Sequence, residues 1–358
     1  MTALTRVARP DEDGARLRPV PWRRMAGVTW RQHRTALAGA AVLLGALAVW
    51  LWIAGTSLHG AYAAATACHP AASSTCQALA DTFNTSNALV KSQGILWQVV
   101  PVLIGAFVGA PVLAREMETG TFRFAWTQGF GRRRWALAKL VPLAAALAAA
   151  GGGFGALLSW YYQPYFAPGN QSLGLLQWTP FDTALFNLRG VGFAAWTLAA
   201  FALGVLAGML IRRVVPAIVA TLLVYAGLAV ATGSFLRQHY LTPLVTSNPN
   251  VPGTAWIISQ WWTRGGRFAF AGNPPVSVLR QFCLSGPAVP SGPGAKGADG
   301  TQAPAFAQCL APHGYTQWTS YQPGSRFWPF QWIEGGWLLA LSVLLIAVTI
   351  WLVRRRAS

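Results

Sequence analysis

The chain has 358 residues, of which 54% are hydrophobic and only 10% are charged, and its mean hydropathy is +0.39. Length alone would allow two or three soluble domains, but this composition, with 18 Trp, excludes an ordinary soluble protein and indicates a membrane protein. The net charge of +18 would suggest a nucleic-acid partner if the basic residues formed one solvated patch. They cluster instead at the ends of apolar stretches, so we expect no nucleic-acid binding.

The N-terminal region is polar before the first apolar stretch. Residues 1–18 are predicted to be a disordered cytoplasmic tail. Residues 19–35 are predicted to form an amphipathic connecting helix in the membrane interface, because at about 100° per residue Trp22 and Trp30 fall on one side and the Arg residues on the other. An ordinary basic flank of the first span is the alternative. The apolar run begins only at residue 36 and is too long for a cleavable signal.

Six apolar stretches are long enough to cross about 30 Å of hydrocarbon. None contains Asp, Glu, Lys, Arg or His, so each can lie in lipid without an unpaired charge. We predict an all-α polytopic membrane protein with six transmembrane helices, an N-terminal amphipathic interfacial helix and an extracellular cap between spans five and six. Spans one to five occupy 36–233, the cap 234–334, and the sixth span with its basic cytoplasmic end 335–358. The apolar stretches are 36–55, 95–114, 140–160, 191–211, 214–233 and 335–353.

The distribution of Lys and Arg predicts the orientation. With both termini in the cytoplasm, nineteen of the 27 basic residues lie on the inner side, although the outer segments are much longer. The chain is therefore predicted to be a multi-pass protein of the plasma membrane with cytoplasmic termini.

The four cysteines all fall in predicted outer segments. An even number on the oxidising side predicts disulfides. Of the three possible pairings we favour Cys68 with Cys76 and Cys283 with Cys309, because each pair closes a loop within its own segment. Four free thiols are the alternative.

One stretch, REMETGTFRFAWTQGFGRRRW from Arg115 to Trp135, holds seven charged residues. With Lys139, the connection 115–139 holds eight charged residues. Each charge placed at the bilayer centre costs about 3 kcal/mol, so this connection cannot be a span. It must lie in water or at the membrane surface, on the cytoplasmic side by the orientation above.

Several kinds of chemistry have no motif in this chain. No Gly is followed by Lys, so a Walker A phosphate loop is missing, and H-E-x-x-H, C-x-x-C and G-x-S-x-G are missing as well. We expect no metal site, no cofactor and no enzyme activity. Charge-free spans also argue against ion-coupled transport. If the chain moves a substrate, the energy is expected from a partner at the cytoplasmic face.

The order Arg115-Glu116-x-Glu118-x-Gly120-Thr121, followed by Arg132 to Arg134 and Lys139, resembles the R-E-x-E-x-G-T…R…K segment of ABC transporter permeases of the second exporter type. That segment lies between the second and third of six spans, as it does here. Its tail, with Ala125-Trp126-Thr127-Gln128, resembles a branch common in actinobacteria. Many relatives place Pro before the later Arg, where this chain has Phe130 and Gly131.

The resemblance implies the permease subunit of an ATP-driven exporter. Such permeases pair, here as an expected homodimer, and dock on two copies of a separate ATPase that binds ATP and Mg. Glu116 and Glu118 would pair with basic residues of that ATPase or lie at the positive end of a helix dipole. The residues expected to couple to the ATPase are Arg115, Glu116, Glu118, Gly120, Thr121, Arg123, Arg132 and Arg134.

Family geometry also implies that substrate passes between the two copies along the second and fifth spans. Apolar walls suit a hydrophobic or amphipathic compound, drug-like or lipid-like, as in multidrug efflux. Glycines with small-xxx-small spacing, at Gly151 to Gly155 and at Gly204 and Gly208, pack either within one subunit or along a dimer or conduit surface. The residues expected along the path are Gln98, Pro101, Gly105 and Tyr225.

Two rival interpretations belong to other classes. A membrane-anchored extracytoplasmic binding or sensory protein would act through the cap over 234–334. A polytopic enzyme acting on lipid would need a carboxylate or His cluster at one membrane face, and the outer acidic residues are sparse. They are Asp81, Asp182, Asp299 and Glu334.

Overall fold

The structure, a computed structural model, describes residues 22–70, 73–85, 87–120, 132–167, 170–283 and 303–355. The predicted tail over 1–18 and the coupling residues Thr121 and Arg123 lie outside these ranges. The helices are α1 Trp22–Ala67, α2 Ser74–Thr85, α3 Asn87–Ile104, α4 Ala110–Thr119, α5 Arg132–Tyr162, α6 Gly192–Ile211, α7 Val214–Ala231, α8 Val276–Phe282, α9 Ala303–Leu310 and α10 Phe327–Arg355. The strands are β1 Leu244–Thr246, β2 Trp256–Arg264, β3 Arg267–Ala271 and β4 Tyr315–Gln322.

Within the described residues, six helical stretches are long and apolar enough to cross a membrane, which confirms the predicted polytopic helical class. Most extend beyond the apolar stretches read from the sequence. The added turns carry charged residues, such as Glu116 and Lys139 near one end of the bundle and Arg237 and Glu334 near the other, whereas the apolar stretches themselves hold none. Spans 1 to 6 are Ala41–Ala67, Gln93–Thr119, Arg132–Phe166, Gly192–Ile211, Val214–His239 and Gly324–Arg355.

The first helix is longer than a single span. Its 46 residues run without interruption from Trp22 into the bilayer-length part. The backbone over 22–35 is therefore helical and continuous with span 1, whereas the side chains that would define an amphipathic face there lie outside the described part of the chain.

Span 4 is the centre of the helical bundle. It packs against spans 2, 3, 5 and 6, and 61% of it is buried, compared with 17% of spans 1 and 5. Its composition explains this position, because Ala and Gly make up much of its surface and allow neighbouring helices to approach closely. Span 1 lies at the periphery and packs on span 3.

Two glycines of span 4 bring it into backbone contact with span 2. A Cβ atom on Gly204 would clash with the carbonyl oxygen of Gly105, and one on Gly208 with that of Ala110. Gly151 and Gly155 of span 3 also face span 4. These four glycines therefore serve helix packing within one subunit.

Spans 2 and 5 both depart from regular α-helix. A π-helical turn, Gly105–Gly109, joins α3 to α4 within span 2, and a second one, Thr232–Leu236, follows α7 in span 5. A π-turn inserts an extra residue into the helical repeat and is frequent at functional sites.

Between spans 5 and 6 the chain forms an antiparallel sheet in the order β1-β4-β2-β3, which the all-α prediction did not include. Strand β2 pairs with β4 from Trp256 opposite Gln322 to Arg264 opposite Tyr315. Because β4 is followed almost at once by span 6, the sheet stands on the end of that span. Residues 234–239 and 324–334, assigned to the cap from the sequence, lie in the helices of spans 5 and 6.

The structure joins Cys68 to Cys76 and Cys283 to Cys309, the pairing favoured from the sequence. The first bond ties the end of span 1 to α2. The second links α8 to α9 beside a small apolar core of the cap, which contains Trp262, Leu310 and Tyr315.

Candidate functional site

The charged stretch begins at the end of span 2, on the face of the bundle where spans 4 and 6 end and spans 3 and 5 begin. We call this end the basic face, because it carries the arginines Arg115, Arg132 to Arg134, Arg212, Arg213 and Arg354. Both disulfides lie at the opposite end, which we call the outer face. The orientation predicted from the sequence would place the basic face in the cytoplasm, and it stays a prediction.

Glu116 forms an ion pair with Lys139 of span 3. The Lys139 side chain is only 6% exposed and that of Glu116 is 20% exposed, so the pair lies where spans 2 and 3 meet. The ammonium group of Lys139 also lies 4.8 Å from the ring centroid of Trp135, one turn earlier in α5. Glu116 thus neutralises a cation that would otherwise be buried alone.

Glu118 joins span 2 to span 5. Its carboxylate accepts a hydrogen bond of 3.2 Å from the backbone N–H of Val214, the first residue of α7. No side chain caps the helix from the Arg213 position, so Glu118 takes the role of a cap and meets the positive end of the helix dipole. We call Glu116 and Glu118, with their contacts to spans 3 and 5, the carboxylate clamp.

The turns on either side of the clamp have positive φ angles. Gly120, with φ of 72°, ends α4 in the left-handed conformation, as a glycine readily does. Arg212 ends α6 at φ 59°, and with Arg213 it forms the whole connection between spans 4 and 5. This short connection holds the start of span 5 within reach of Glu118.

The arginines at the start of span 3 face the end of span 6. Arg132 donates a hydrogen bond of 3.4 Å to the carbonyl of Arg354. A depression of about 490 Å³ is lined by the side chains of Arg132, Arg133, Arg134 and Arg354. Arg115 is exposed on the same face. Of the predicted coupling residues, Glu116 and Glu118 thus belong to the clamp, and Arg132 and Arg134 belong to this arginine cluster.

The predicted path residues occupy different environments within one subunit. Gln98 donates a 2.7 Å hydrogen bond to the carbonyl of Thr183. Gly105 packs on the backbone of Ala200, and Pro101 is buried in span 2. Tyr225 is 8% exposed and packs edge-on against Trp196 of span 4. Three of the four residues thus contribute to packing between spans 2, 4 and 5.

A buried ion pair at the outer face was not predicted from the sequence. Arg237 donates to both carboxylate oxygens of Glu334, at 3.0 and 2.9 Å, and both side chains are 1% exposed. Trp196 and Tyr240 also donate to this carboxylate, at 3.0 and 3.4 Å. Burial and the nearby carboxylate raise the pKa of the Tyr240 phenol, so it remains a donor at neutral pH. The network joins the outer ends of spans 4, 5 and 6.

A second outer cation was also missed. The Arg189 guanidinium lies 3.8 Å from the ring centroid of Phe166 and 4.6 Å from that of Phe327. Burial lowers its pKa to about 10, so the group is still charged at neutral pH. It connects the end of span 3 with the start of α10 through cation–π contacts. Among the described residues, no group of three or more His, Cys, Asp or Glu lies together to hold a metal.

Comparison with known protein families gives a match. A family model described as ABC-2 membrane transporter related covers residues 41–237, more than half of the chain, from span 1 nearly to the end of span 5. The sheet between spans 5 and 6, and span 6 itself, lie beyond the matched residues. No curated protein and no solved structure matches the chain.

Proposed function

Since the chain belongs to the ABC-2 membrane transporter related family, we propose that this membrane transport component is the permease subunit of an ATP-driven exporter. Membership of the family indicates a transport component rather than a catalytic subunit, and it implies an ABC ATPase as partner. In this proposal ATP and Mg bind to that partner, which is a separate protein. The cargo is a hydrophobic or amphipathic compound, drug-like or lipid-like, that leaves through the plasma membrane.

The observation that carries the proposal is the carboxylate clamp. Through Glu116 and Glu118, the end of span 2 contacts Lys139 of span 3 and the first residue of span 5. A force applied where the charged segment leaves span 2 would therefore reach three spans at once. A segment that an ATPase moves must pass its displacement on to several spans, and these contacts provide a route for that. We propose that the ATPase docks on the basic face, with that face in the cytoplasm.

The exposed sides of spans 2 and 5 support a homodimer in which these spans face the second copy. The two spans pack side by side, and their outward surface is apolar. Phe107 and Leu223 are 62% and 69% exposed on it. The two π-turns lie in these same spans, where a change of helical repeat would alter the surface offered to the partner copy. The path residues predicted from the sequence belong to this proposal.

A pull-down from native membranes in mild detergent tests ATPase docking. Arg115→Glu reverses an exposed charge beside the clamp and leaves the Glu116–Lys139 pair in place. Arg267→Glu makes the same change on an exposed residue of the sheet at the outer face. Mass spectrometry should find a soluble ATPase with the native chain and with Arg267→Glu. With Arg115→Glu we expect about tenfold less, equivalent to about 1.4 kcal/mol.

Reversing Glu116 and Glu118 to Arg is also expected to abolish ATPase capture, but that variant breaks contacts within the permease as well. Exchanging the pair, as Glu116→Lys with Lys139→Glu, restores an intramolecular ion pair of opposite polarity. Recovered capture assigns Glu116 to the clamp alone, whereas continued loss assigns it a contact with the ATPase. If an intact native chain brings down no ATPase, the exporter proposal fails.

One observation favours the rival binding or sensory function. The cap has a small apolar core beside the Cys283–Cys309 bond. The rival interpretation requires function to depend on that bond and not on the clamp. Replacing both cysteines with Ser while assaying ATPase capture separates the alternatives, because the exporter proposal expects capture to persist.

A further inference from the structure

The arginine cluster on the basic face continues into an apolar groove. The first part is the depression lined by the four arginines. A second depression of about 230 Å³ shares Arg133 and Arg354 with it. Its other lining residues come from spans 3 and 6. They are Leu137, Ala347, Ile350 and Trp351.

The order of these residues along the helices gives the groove a direction. Leu137 lies about one turn inside span 3 from Arg133, and Ile350 lies about one turn inside span 6 from Arg354. The charged part is therefore at the end of the bundle, and the apolar part extends toward the hydrocarbon. Trp351 is 47% exposed, in keeping with a position at the membrane interface.

An occupant of this groove must be an amphipathic anion. Four arginines line one depression, and none of its lining residues is acidic. A small anion would leave the apolar part uncovered, and a soluble protein could not follow it between two spans. Basic pockets between transmembrane helices bind anionic lipid headgroups, and arginine binds phosphate with two parallel hydrogen bonds.

We propose that the groove between spans 3 and 6 binds an anionic phospholipid, with its phosphates on the arginine cluster and an acyl chain along Leu137, Ala347 and Ile350. A doubly charged lipid such as cardiolipin fits four cations best. The inference does not depend on the ATPase, because it concerns only residues of this chain and the bilayer around it.

Native mass spectrometry of the purified full chain, titrated with cardiolipin, phosphatidylglycerol or phosphatidylcholine, measures the binding. The expected order of affinity is cardiolipin, then phosphatidylglycerol, then phosphatidylcholine. Arg133→Ala with Arg354→Ala should weaken cardiolipin binding about 25-fold, since each basic residue near anionic lipid contributes a factor of about five. The matched control, Arg212→Ala with Arg213→Ala, removes two arginines from the same face outside the groove and should bind like the native chain.

A second variant keeps every charge and tests the apolar part. Ala347 is exposed, so Ala347→Trp fills the groove without crowding the core, and it should weaken cardiolipin binding several-fold. Soluble glycerophosphate at millimolar concentration should not displace the lipid. Three results would each contradict the site. Cardiolipin binding could fall equally in the Arg212 and Arg213 control, it could be unchanged in Ala347→Trp, or glycerophosphate could displace the lipid.

Discussion

The carboxylate of Glu334 holds together groups that are far apart in the sequence. Its two oxygens accept four hydrogen bonds, from Arg237, Trp196 and Tyr240, so each oxygen has two donors. From Glu334 to Arg355 the helix rises about 32 Å, roughly the thickness of the hydrocarbon. The ion pair therefore lies near the outer edge of the hydrocarbon, and because both side chains are buried their charges depend on protein partners rather than on bulk water.

Glu334→Gln should lower the free energy of unfolding by about 3–5 kcal/mol, because it leaves Arg237 charged and buried without a counter-ion. Thermal unfolding of the detergent-solubilised protein measures the effect. Replacing both residues together, as Glu334→Leu with Arg237→Leu, should restore much of the loss. Arg267→Gln on the exposed hairpin is the control, with an expected change of less than about 0.5 kcal/mol. A single Glu334→Gln variant as stable as the control would show that the pair contributes little.

At the scale of elements, the contact between spans 2 and 4 depends on glycine. Gly204 and Gly208 place span 4 directly on the backbone around the π-turn of span 2. This close packing fixes the rotation of span 2, and with it the direction in which Glu116 and Glu118 leave the helix end. The core of the bundle thereby positions the clamp.

Gly204→Ala should destabilise the bundle by about 1–3 kcal/mol, since the added methyl group overlaps backbone atoms of Gly105 and Ala110. Gly152→Ala in span 3 is the matched control, because no atom lies within 4 Å of its added Cβ. That variant should be neutral or slightly stabilising. Thermal unfolding of both proteins in the same detergent compares them, and similar midpoints would contradict the assigned contact.

At the scale of the whole molecule, the apolar surface of spans 2 and 5 is expected to meet a second copy. All four native cysteines are in disulfides, so an added cysteine is the only free thiol. Leu223→Cys in span 5 should cross-link into a dimer in native membranes with a short bismaleimide. Val343→Cys in span 6 is equally exposed, at 68% compared with 69%, and should not cross-link. Equal cross-linking at both positions would contradict the proposed dimer face.

The sequence predicts the spans and the disulfides because their signals are local. Apolar runs of about twenty residues need no knowledge of how helices pack, and the favoured cysteine pairing follows from the two cysteines that each of two outer segments holds. The pairings of Glu116, Glu118 and Arg237 cross 23, 96 and 97 residues, and they depend on the relative rotation of helices. Uniformly apolar helices carry no periodic signal for that rotation. The sheet was missed since its aromatic-rich strands, such as WIISQWWTR in β2, also suit a segment lying at a membrane interface.

Because β4 connects directly to span 6, a movement of that span would be passed on to the sheet. Eight residues of β4 extend about 26 Å at about 3.3 Å per residue, from Gln322 near the bilayer to Tyr315. Only four residues lie between Gln322 and Phe327, and three of them form the helical turn Gly324–Arg326, so the helix follows the strand almost directly. If the sheet moves rigidly with the helix, a tilt of span 6 by about 10° would displace the far end of the sheet by about 4.5 Å over this length. A small rotation of span 6 would thus displace the Cys283–Cys309 region, because Cys283 packs in the same apolar cluster as Tyr315.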